Sequence, residues 1–350
     1  MPKQDELEIA IDELKERLKQ DINDAEALKK LGDLYLYMQM FEEARFLFSK
    51  VLELLPGNPA VKYALATYHL NKNNDVKAIE ILKEIIVENP EFAPACSLLA
   101  NIYSEENTQK AIEFAVKAAE LEDNNPDNFY LLGNLYDDND DPEKAMKAYN
   151  RVIELNPDHA PALNALGMLH HDNEDLNSAI AALRKALSID PTYSNAHLNL
   201  ANSLLDHPDT SVQDAEDEYK LAIRFDHGNA DAHIGLGEIY YEDEQYKKAI
   251  DCFEDAIRAN PEIATAHFNI GNCYFMLADL EEALNSYRRA VSLDEEYAEP
   301  FFWIGKIRMQ QNDGLEALIN FKLYLELEPD GEWAEEASEN MEKLRSEWPI

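Results

Sequence analysis

The chain has 350 residues, of which 46% are hydrophobic, so it can bury extensive apolar surface and is not expected to be disordered. Its 70 acidic and 31 basic residues give a formal charge of −39, which disfavours nucleic acids and anionic membrane surfaces as partners. It contains no run of 18 apolar residues and "MPKQDELEIA" lacks the pattern of a secretory signal, so we expect a cytoplasmic protein without membrane insertion.

The first predicted element is a helix over residues 5–20, in an N-terminal segment that we assign to residues 1–24. Ala10, Leu14 and Leu18 recur every four residues, which is the spacing of one helix face. The helix has no partner helix before it, so the segment is predicted to cap one end of a helical array.

Residues 25–331 carry a repeat. A small residue follows an aliphatic one in each unit, at Gly32, Ala66, Ala100, Gly133, Gly167, Ala201, Gly237, Gly271 and Gly305. The intervals are 34, 34, 33, 34, 34, 36, 34 and 34 residues. The period predicts nine units, which start at residues 25, 59, 93, 126, 160, 194, 230, 264 and 298.

Each unit is predicted to form two helices. Positions 4, 7, 8 and 11 of a unit fall on one helix face, and positions 20, 24, 27 and 28 fall on another. Small residues at positions 8 and 20 let the two helices approach closely, and Pro at position 32 ends most units. A unit of this size cannot bury enough surface alone, so the units must stack.

This pattern resembles the tetratricopeptide repeat family over residues 25–331. One unit matches it with Phe129, Leu132, Gly133, Tyr136, Ala145, Tyr149, Val152 and Pro157. The resemblance implies an all-α fold, an α-solenoid that forms a right-handed superhelix with the first helices on its concave side. Departures are local: the third unit lacks one residue and the sixth has two extra residues in "LLDHPDTSVQDAE".

The last predicted helix lies in residues 332–350. One apolar stripe is formed by Trp333, Ala337, Met341, Leu344 and Trp348. The stripe predicts a C-terminal capping helix, and a docking helix for a partner is the alternative.

In the resembled fold, positions 2, 6, 9 and 13 of each unit face the inner groove. Position 13 is acidic in five successive units, at Glu105, Asp138, Asp172, Asp206 and Glu242. An acid near a helix C-terminus opposes the helix dipole at a cost of roughly 0.3 kcal/mol, so helix stability does not explain the row. It is either a groove for Lys and Arg side chains or a set of solvated turns.

Asparagines recur on the same stripe, as in "HLNLANSLL" and "HFNIGNCYF". They occupy positions 6 and 9, at Asn101, Asn134, Asn199, Asn202, Asn269 and Asn272. Because Asn offers both a donor and an acceptor, a row of them can hold the backbone of an extended peptide. The resembled family uses such asparagines in that way, and Asn is also common at these positions throughout the family.

Large apolar side chains predict an anchoring region at each end of the groove, with Tyr37, Tyr63 and Leu70 near the start and Phe275 and Met276 among those near the end. Trp303 stands at position 6, with Phe268 and Phe302 nearby in the pattern, and packing against neighbouring helices is the alternative. The basic clamp that some members of the family use for a C-terminal carboxylate is absent, since Lys29 is followed by Asp33 instead of Asn.

No enzyme chemistry is predicted. His197, His233 and His267 all fall at the core position 4 of different units, too far apart to share a metal ion. "DDNDD" at residues 137–141 lacks the Gly and Glu of a calcium loop, and no glycine-rich phosphate loop or G-x-S-x-G motif occurs. We therefore expect no catalytic residues, no metal and no cofactor.

These patterns predict a protein-interaction scaffold or adaptor. Its groove would bind a peptide or protein segment with basic, or mixed basic and apolar, side chains, since negative charge steers basic partners towards it. Two alternatives stay open: a self-associating or architectural subunit of a larger assembly, with a homo-oligomer as one form, and a regulatory subunit of a separate enzyme. The charge could also serve solubility alone.

Overall fold

The computed structural model describes residues 4–347, and over this range it has 20 α-helices and no strand. The chain divides into two compact units, residues 1–162 and residues 163–350. The first contains α1 (Gln4–Gln20), α2 (Ala25–Tyr37), α3 (Phe41–Leu54), α4 (Pro59–Asn71), α5 (Asp75–Glu88), α6 (Ala93–Tyr103), α7 (Thr108–Leu121), α8 (Pro126–Asp137) and α9 (Pro142–Leu155).

The dividing point lies within α10 (Ala160–Asp172). The second unit continues with α11 (Leu176–Ile189), α12 (Ser194–Asp206), α13 (Val212–Phe225), α14 (Ala230–Glu242), α15 (Tyr246–Ala259), α16 (Ala264–Met276), α17 (Leu280–Leu293), α18 (Glu299–Gln310), α19 (Gly314–Leu327) and α20 (Ala334–Glu347). The predicted all-α class is confirmed for the described residues. None of the helices in this range is both long and apolar enough to cross a bilayer.

Both units are stacks of helix hairpins. In the first, α2 packs on α3, α4 on α5, α6 on α7 and α8 on α9, and each hairpin packs on the next in chain order. The second repeats the plan with α12 on α13, α14 on α15, α16 on α17 and α18 on α19. Short connections make the two helices of a hairpin antiparallel neighbours. Each unit is therefore an α-solenoid in which sequence neighbours are also spatial neighbours.

Small residues hold the helices of each hairpin together. The nine residues at position 20 are fully buried: Ala44, Ala78, Ala111, Ala145, Ala179, Ala215, Ala249, Ala283 and Ala317. The residue four positions later packs against the Gly or Ala of the first helix, as Tyr287 does against Gly271. A Cβ atom added to Gly271 would lie 2.5 Å from Cε1 of Tyr287. The hairpins are thus closed as tightly as their side chains allow.

The turn inside most hairpins needs one residue with positive φ. This residue is Gln39, Asn73, Asp140, Glu174, Glu244, Ala278 or Asn312, with φ between 53° and 61°. At Ala278 the N–H of Ala278 donates to the carbonyl of Phe275 (3.0 Å) and that of Asp279 donates to Tyr274 (2.9 Å). This is the Schellman arrangement, which usually ends on Gly.

Ala278 is therefore strained, and we expect Ala278→Gly to raise the free energy of unfolding by about 0.5–1 kcal/mol. Asn312→Gly is the matched control, because Asn tolerates positive φ and should gain less. Thermal midpoints from circular dichroism measure both variants. An equal gain at the two positions would contradict the strain assigned to Ala278.

The terminal helices pack on the hairpins next to them. α1 packs on α2, and Leu14 is buried there. α20 packs on α19 through Ala337, Met341 and Leu344, which are all buried. Trp333 precedes α20 and stacks on Phe302 with ring centroids 5.2 Å apart. Trp348, the last residue of the predicted stripe, lies outside the described residues.

Candidate functional site

Two cavities of the second unit bring the predicted residues together. The first, of about 170 Å³, is named here the Asp172 cavity and lies between α10 and α12. Its lining consists of Met168, His171, Asp172, Asn199, Asn202 and Ser203. An acid at position 13 of one hairpin thus meets the asparagines at positions 6 and 9 of the next.

The second, the Glu238 cavity, has a volume of about 460 Å³ and is lined by residues of α12, α13, α14, α15 and α16. Its polar residues are Glu238, Glu242, Asn269 and Asn272, and its apolar walls include Leu205, Val212, Ile239 and Phe253. The same juxtaposition of an acid with the two asparagines of the next hairpin therefore occurs twice in this unit.

A third cavity, of about 640 Å³, lies in the first unit between α1 and α2. It is the largest of the three and is mostly apolar, with Arg17, Lys30 and Asp33 at its edge. None of the predicted binding residues lines it. Its charges are of both signs, so it does not favour a ligand of either charge.

Three of the four asparagines at position 9 are held by a tyrosine of their own hairpin. The hydroxyl groups of Tyr149, Tyr219 and Tyr287 donate to Oδ1 of Asn134 (2.7 Å), Asn202 (2.5 Å) and Asn272 (2.7 Å). All three tyrosines are buried, and burial raises the pKa of each, so each hydroxyl keeps its proton. The carbonyl oxygen of each amide thereby accepts a hydrogen bond from within its own hairpin.

The asparagines at position 6 connect successive first helices. Nδ2 of Asn199 donates to Oδ1 of Asn164 (2.9 Å), and Nδ2 of Asn269 donates to Oε1 of Glu238 (3.3 Å). Both side chains are half-buried. Each uses one of its two N–H groups in these bonds, so each keeps a second N–H for another acceptor.

Glu238 is an acid of the groove in a partly desolvated environment. Its side chain reaches solvent, yet the walls of the cavity displace much of the surrounding water. This desolvation raises the pKa of Glu238, the nearby Glu242 carboxylate raises it further, and the bond from Asn269 acts in the opposite direction. A cation beside Glu238 would relieve both unfavourable effects.

The acidic row of position 13 is exposed throughout, at Glu105, Asp138, Asp172, Asp206 and Glu242. Asp172 and Glu242 line the two cavities, whereas Asp206 turns to His171, whose Nε2 lies 3.3 Å from its Oδ2. In the first unit, Asn101 is also exposed, and Ala115 stands where other hairpins have the tyrosine. The row therefore does not act as one cluster.

The expected apolar end of the groove is wrong for Phe268 and Phe302. Phe268 and Phe302 are buried, with 9% and 1% of their surface exposed, because both pack into hairpin cores. Trp303 is half-buried, and its ring lies 5.1 Å from that of Phe275 and 5.9 Å from that of Trp333. Of the other apolar residues expected in the groove, Met276 and Tyr37 keep 51% and 57% of their surface exposed.

The surroundings of the histidines and cysteines are those of residues packed between helices. His197 and His233 are buried at position 4, and the described residues contain no group of three His, Cys, Asp or Glu that could hold a metal ion. The three cysteines are free thiols. Burial raises the pKa of Cys252 to about 11 and that of Cys273 to about 12, so neither forms a thiolate nucleophile near neutral pH.

Two features of the site were missed in the sequence. The first is the role of the buried tyrosines, whose signal was visible: Asn at position 9 coincides with Tyr in the second helix in three hairpins. The second is the desolvation of Glu238, which the pattern included among the groove acids at position 9 without distinguishing it from the others. Its importance depends on how the neighbouring helices close around it, which no local pattern reports.

Stacked helix hairpins with polar grooves along their first helices define the class of helical repeat proteins. Family profiles described as tetratricopeptide repeat match residues 35–102, 130–194 and 234–299, which together exceed half of the chain. The chain belongs to the tetratricopeptide repeat family, whose members generally mediate protein–protein interactions. No curated protein matches it.

Several solved structures are similar to parts of the chain. Two crystal structures of MamA share 28% and 27% identity with it over 48% and 50% of this chain and 97% and 94% of theirs, both with a TM-score of 0.41. YrrB, described as a TPR protein with an unusual peptide-binding site, shares 25% identity over 56% of this chain and 100% of its own, with a TM-score of 0.44.

Proposed function

We propose that this protein is a non-enzymatic scaffold that binds an extended segment of a partner protein along the first helices of its second unit. The segment would contain Lys or Arg. The Glu238 cavity carries this proposal, because two carboxylates and two amides open there between apolar walls. We also propose that the chain consists of nine repeats over residues 25–331, with α1 and α20 as capping helices.

The amides supply the contacts to the partner's backbone. Since Tyr287 occupies Oδ1 of Asn272, the Nδ2 group is left to donate to a peptide carbonyl. Asn202 has the same arrangement with Tyr219. An amide already fixed by a buried hydroxyl loses little further freedom on binding, and such preorganisation favours affinity.

The cavity supplies the contact to one side chain. Lys and Arg have an aliphatic stem and a charged head, so they can lie along apolar walls with the charge at a carboxylate. Leu205 and Val212 provide part of the wall, and Glu238 and Glu242 provide the charge. The formal charge of −39 adds long-range attraction for a basic segment.

Fluorescence anisotropy with a labelled 12-residue peptide of alternating Lys and Ser tests this proposal. We expect the double variant Glu238→Gln/Glu242→Gln to bind about 5–10-fold more weakly than the natural protein, and the difference should shrink with added salt. The same peptide with Gln in place of Lys should not bind measurably.

Asp217→Asn/Asp251→Asn is the matched control, since it removes two exposed carboxylates from α13 and α15 outside the cavity. It should change the affinity little. If it weakens binding as much as the cavity variant does, net charge alone attracts the peptide and the proposed site is wrong.

Asn272→Asp separates backbone recognition from charge. Asp still accepts the bond from Tyr287 but has no N–H to donate, and it adds a negative charge. Weaker binding of the lysine peptide would support a hydrogen bond to the peptide backbone. Tighter binding would contradict it, because attraction alone would then explain the role of the residue.

A further inference from the structure

An exposed apolar row runs along the outer face of α19. Leu315, Ile319, Leu323 and Leu327 follow each other at intervals of four residues, and between 37% and 59% of each residue's surface is exposed. The opposite face of the helix packs in the core through Ala317, Phe321 and Tyr324. The described residues therefore leave more than a third of each residue's surface in the row uncovered. The length of the row, three turns or about 18 Å, would match a second helix.

The other hairpins show that the first three residues of this row are not required by the fold, whereas an apolar residue at the fourteenth place is usual. Each of the nine second helices has 14 residues, and the row occupies the second, sixth, tenth and fourteenth of them. At the second, sixth and tenth places, each of the other eight helices has at least two polar residues, such as Glu143, Lys147 and Arg151 in α9. Only α19 of the described second helices is apolar at all three places.

The size and charge of the face restrict what can cover it. A stable interface between folded surfaces takes about 800 Å² per partner and about 20–30 residues on each side, which is far more than one row of four side chains. A second copy would also bring another formal charge of −39. A single amphipathic helix fits the row, because helices dock through apolar residues spaced by three or four positions.

The residues beside the row specify the flanks of that helix. Glu316 and Glu326 are exposed next to it, and the only exposed base of α19, Lys322, is paired with Glu326 at 3.2 Å. We propose that the outer face of α19 binds an amphipathic helix of a partner protein, with an apolar stripe on the row and Lys or Arg on its flanks. This surface is separate from the Glu238 cavity and does not depend on it.

The test uses the whole protein and a fluorescein-labelled 18-residue synthetic helix with Leu at spacings of three and four, Lys on both flanks and Ala elsewhere. Anisotropy should show binding that weakens about tenfold or more in Ile319→Glu/Leu323→Glu. Hydrogen exchange should slow in α19 when the peptide is added. Since the lysines of the peptide can also bind at the Glu238 cavity, the comparison is repeated in a Glu238→Gln/Glu242→Gln background, where Ile319→Glu/Leu323→Glu should cause the same weakening.

Phe46→Glu/Val76→Glu is the matched control. It introduces the same charge at exposed apolar residues that stand in equivalent places of α3 and α5, where they are isolated. The control should bind the peptide normally, and equal weakening in both variants would overturn the proposal. Sedimentation that shows a natural dimer, separated by the α19 variant, would also overturn it, because the occupant would then be a second copy.

Discussion

Gly271→Ala is expected to lower the free energy of unfolding by about 1–3 kcal/mol through overpacking. At a solvent-exposed position inside a helix, Gly→Ala would instead raise the free energy of unfolding by about 1 kcal/mol, because Ala is the better helix former. The sign reverses here since the new Cβ would lie 2.5 Å from Cε1 and 2.6 Å from Cδ1 of Tyr287, a ring with no exposed surface. Thermal and urea unfolding followed by circular dichroism measure the change.

Two further variants isolate the contact. Gly57→Ala is the control, because a Cβ added there meets nothing within 4 Å, and its stability should hardly change. Gly271→Ala/Tyr287→Leu recreates the natural combination of Ala66 with Leu82 in another hairpin and should recover part of the loss. Additive effects of the two substitutions would mean that Gly271 and Tyr287 do not constrain each other.

Glu218→Gln is expected to lower the free energy of unfolding by about 1.5–3 kcal/mol near pH 6, and by less as the pH rises. The reason is the buried ring of His197. Its Nδ1 lies 2.6 Å from the Glu218 carboxylate, and its Nε2 lies 3.1 Å from the carbonyl oxygen of Pro191. With an acceptor at each nitrogen, only the doubly protonated imidazolium satisfies both.

The direction of this pH dependence follows from the pKa of His197. Burial lowers this pKa, but the bonds to Glu218 and Pro191 outweigh burial, so the folded-state pKa is raised. The stabilisation is therefore complete below the unfolded pKa, about 6.5, and is lost as the pH rises through the folded-state value. Unfolding of natural protein and variant in parallel from pH 6 to 9 gives the difference, and NMR titration of His197 gives the pKa itself.

His233, the equivalent residue of the next hairpin, supplies the contrast. Its Nε2 lies 3.3 Å from the carbonyl oxygen of His227, and burial is the main reason that its pKa is lowered. Its contribution to stability is thus present above about pH 6.5 and is lost as the pH falls through the folded-state value.

The Glu218→Gln prediction can fail in one clear way. If the difference in unfolding free energy between natural protein and Glu218→Gln stays constant from pH 6 to 9, His197 is not charged.

The fold could be predicted largely from spacing. The recurrence of Gly or Ala at position 8 and Ala at position 20 fixes where two helices touch, and nine alanines at position 20 are indeed fully buried. Pro at position 32 follows the end of a second helix, as Pro261 follows Ala259. These features are local in sequence, and a stack of hairpins adds few contacts between distant parts of the chain. The right-handed superhelix stays a prediction.

The candidate site was harder to predict, because its residues act across hairpins. The pattern identified Asn269 and Asn272 and the acid Glu242, and the structure places these three in one cavity. The pattern did not reveal that Asp206 contacts His171, or that Phe302 is buried in a hairpin core instead of lining the groove. Both outcomes depend on side-chain choices at the contact between two helices, which a one-dimensional period does not contain.

The bond between Tyr287 and Asn272 joins residues 15 positions apart within one hairpin, and Tyr149 and Asn134 are related by the same interval. Duplication of a hairpin therefore copies both the asparagine and the tyrosine that orients its amide. A new array assembled from copies of such a hairpin would possess aligned amides from the start, before any selection on the ligand. The length of peptide backbone that such an array can bind could therefore increase with each added hairpin.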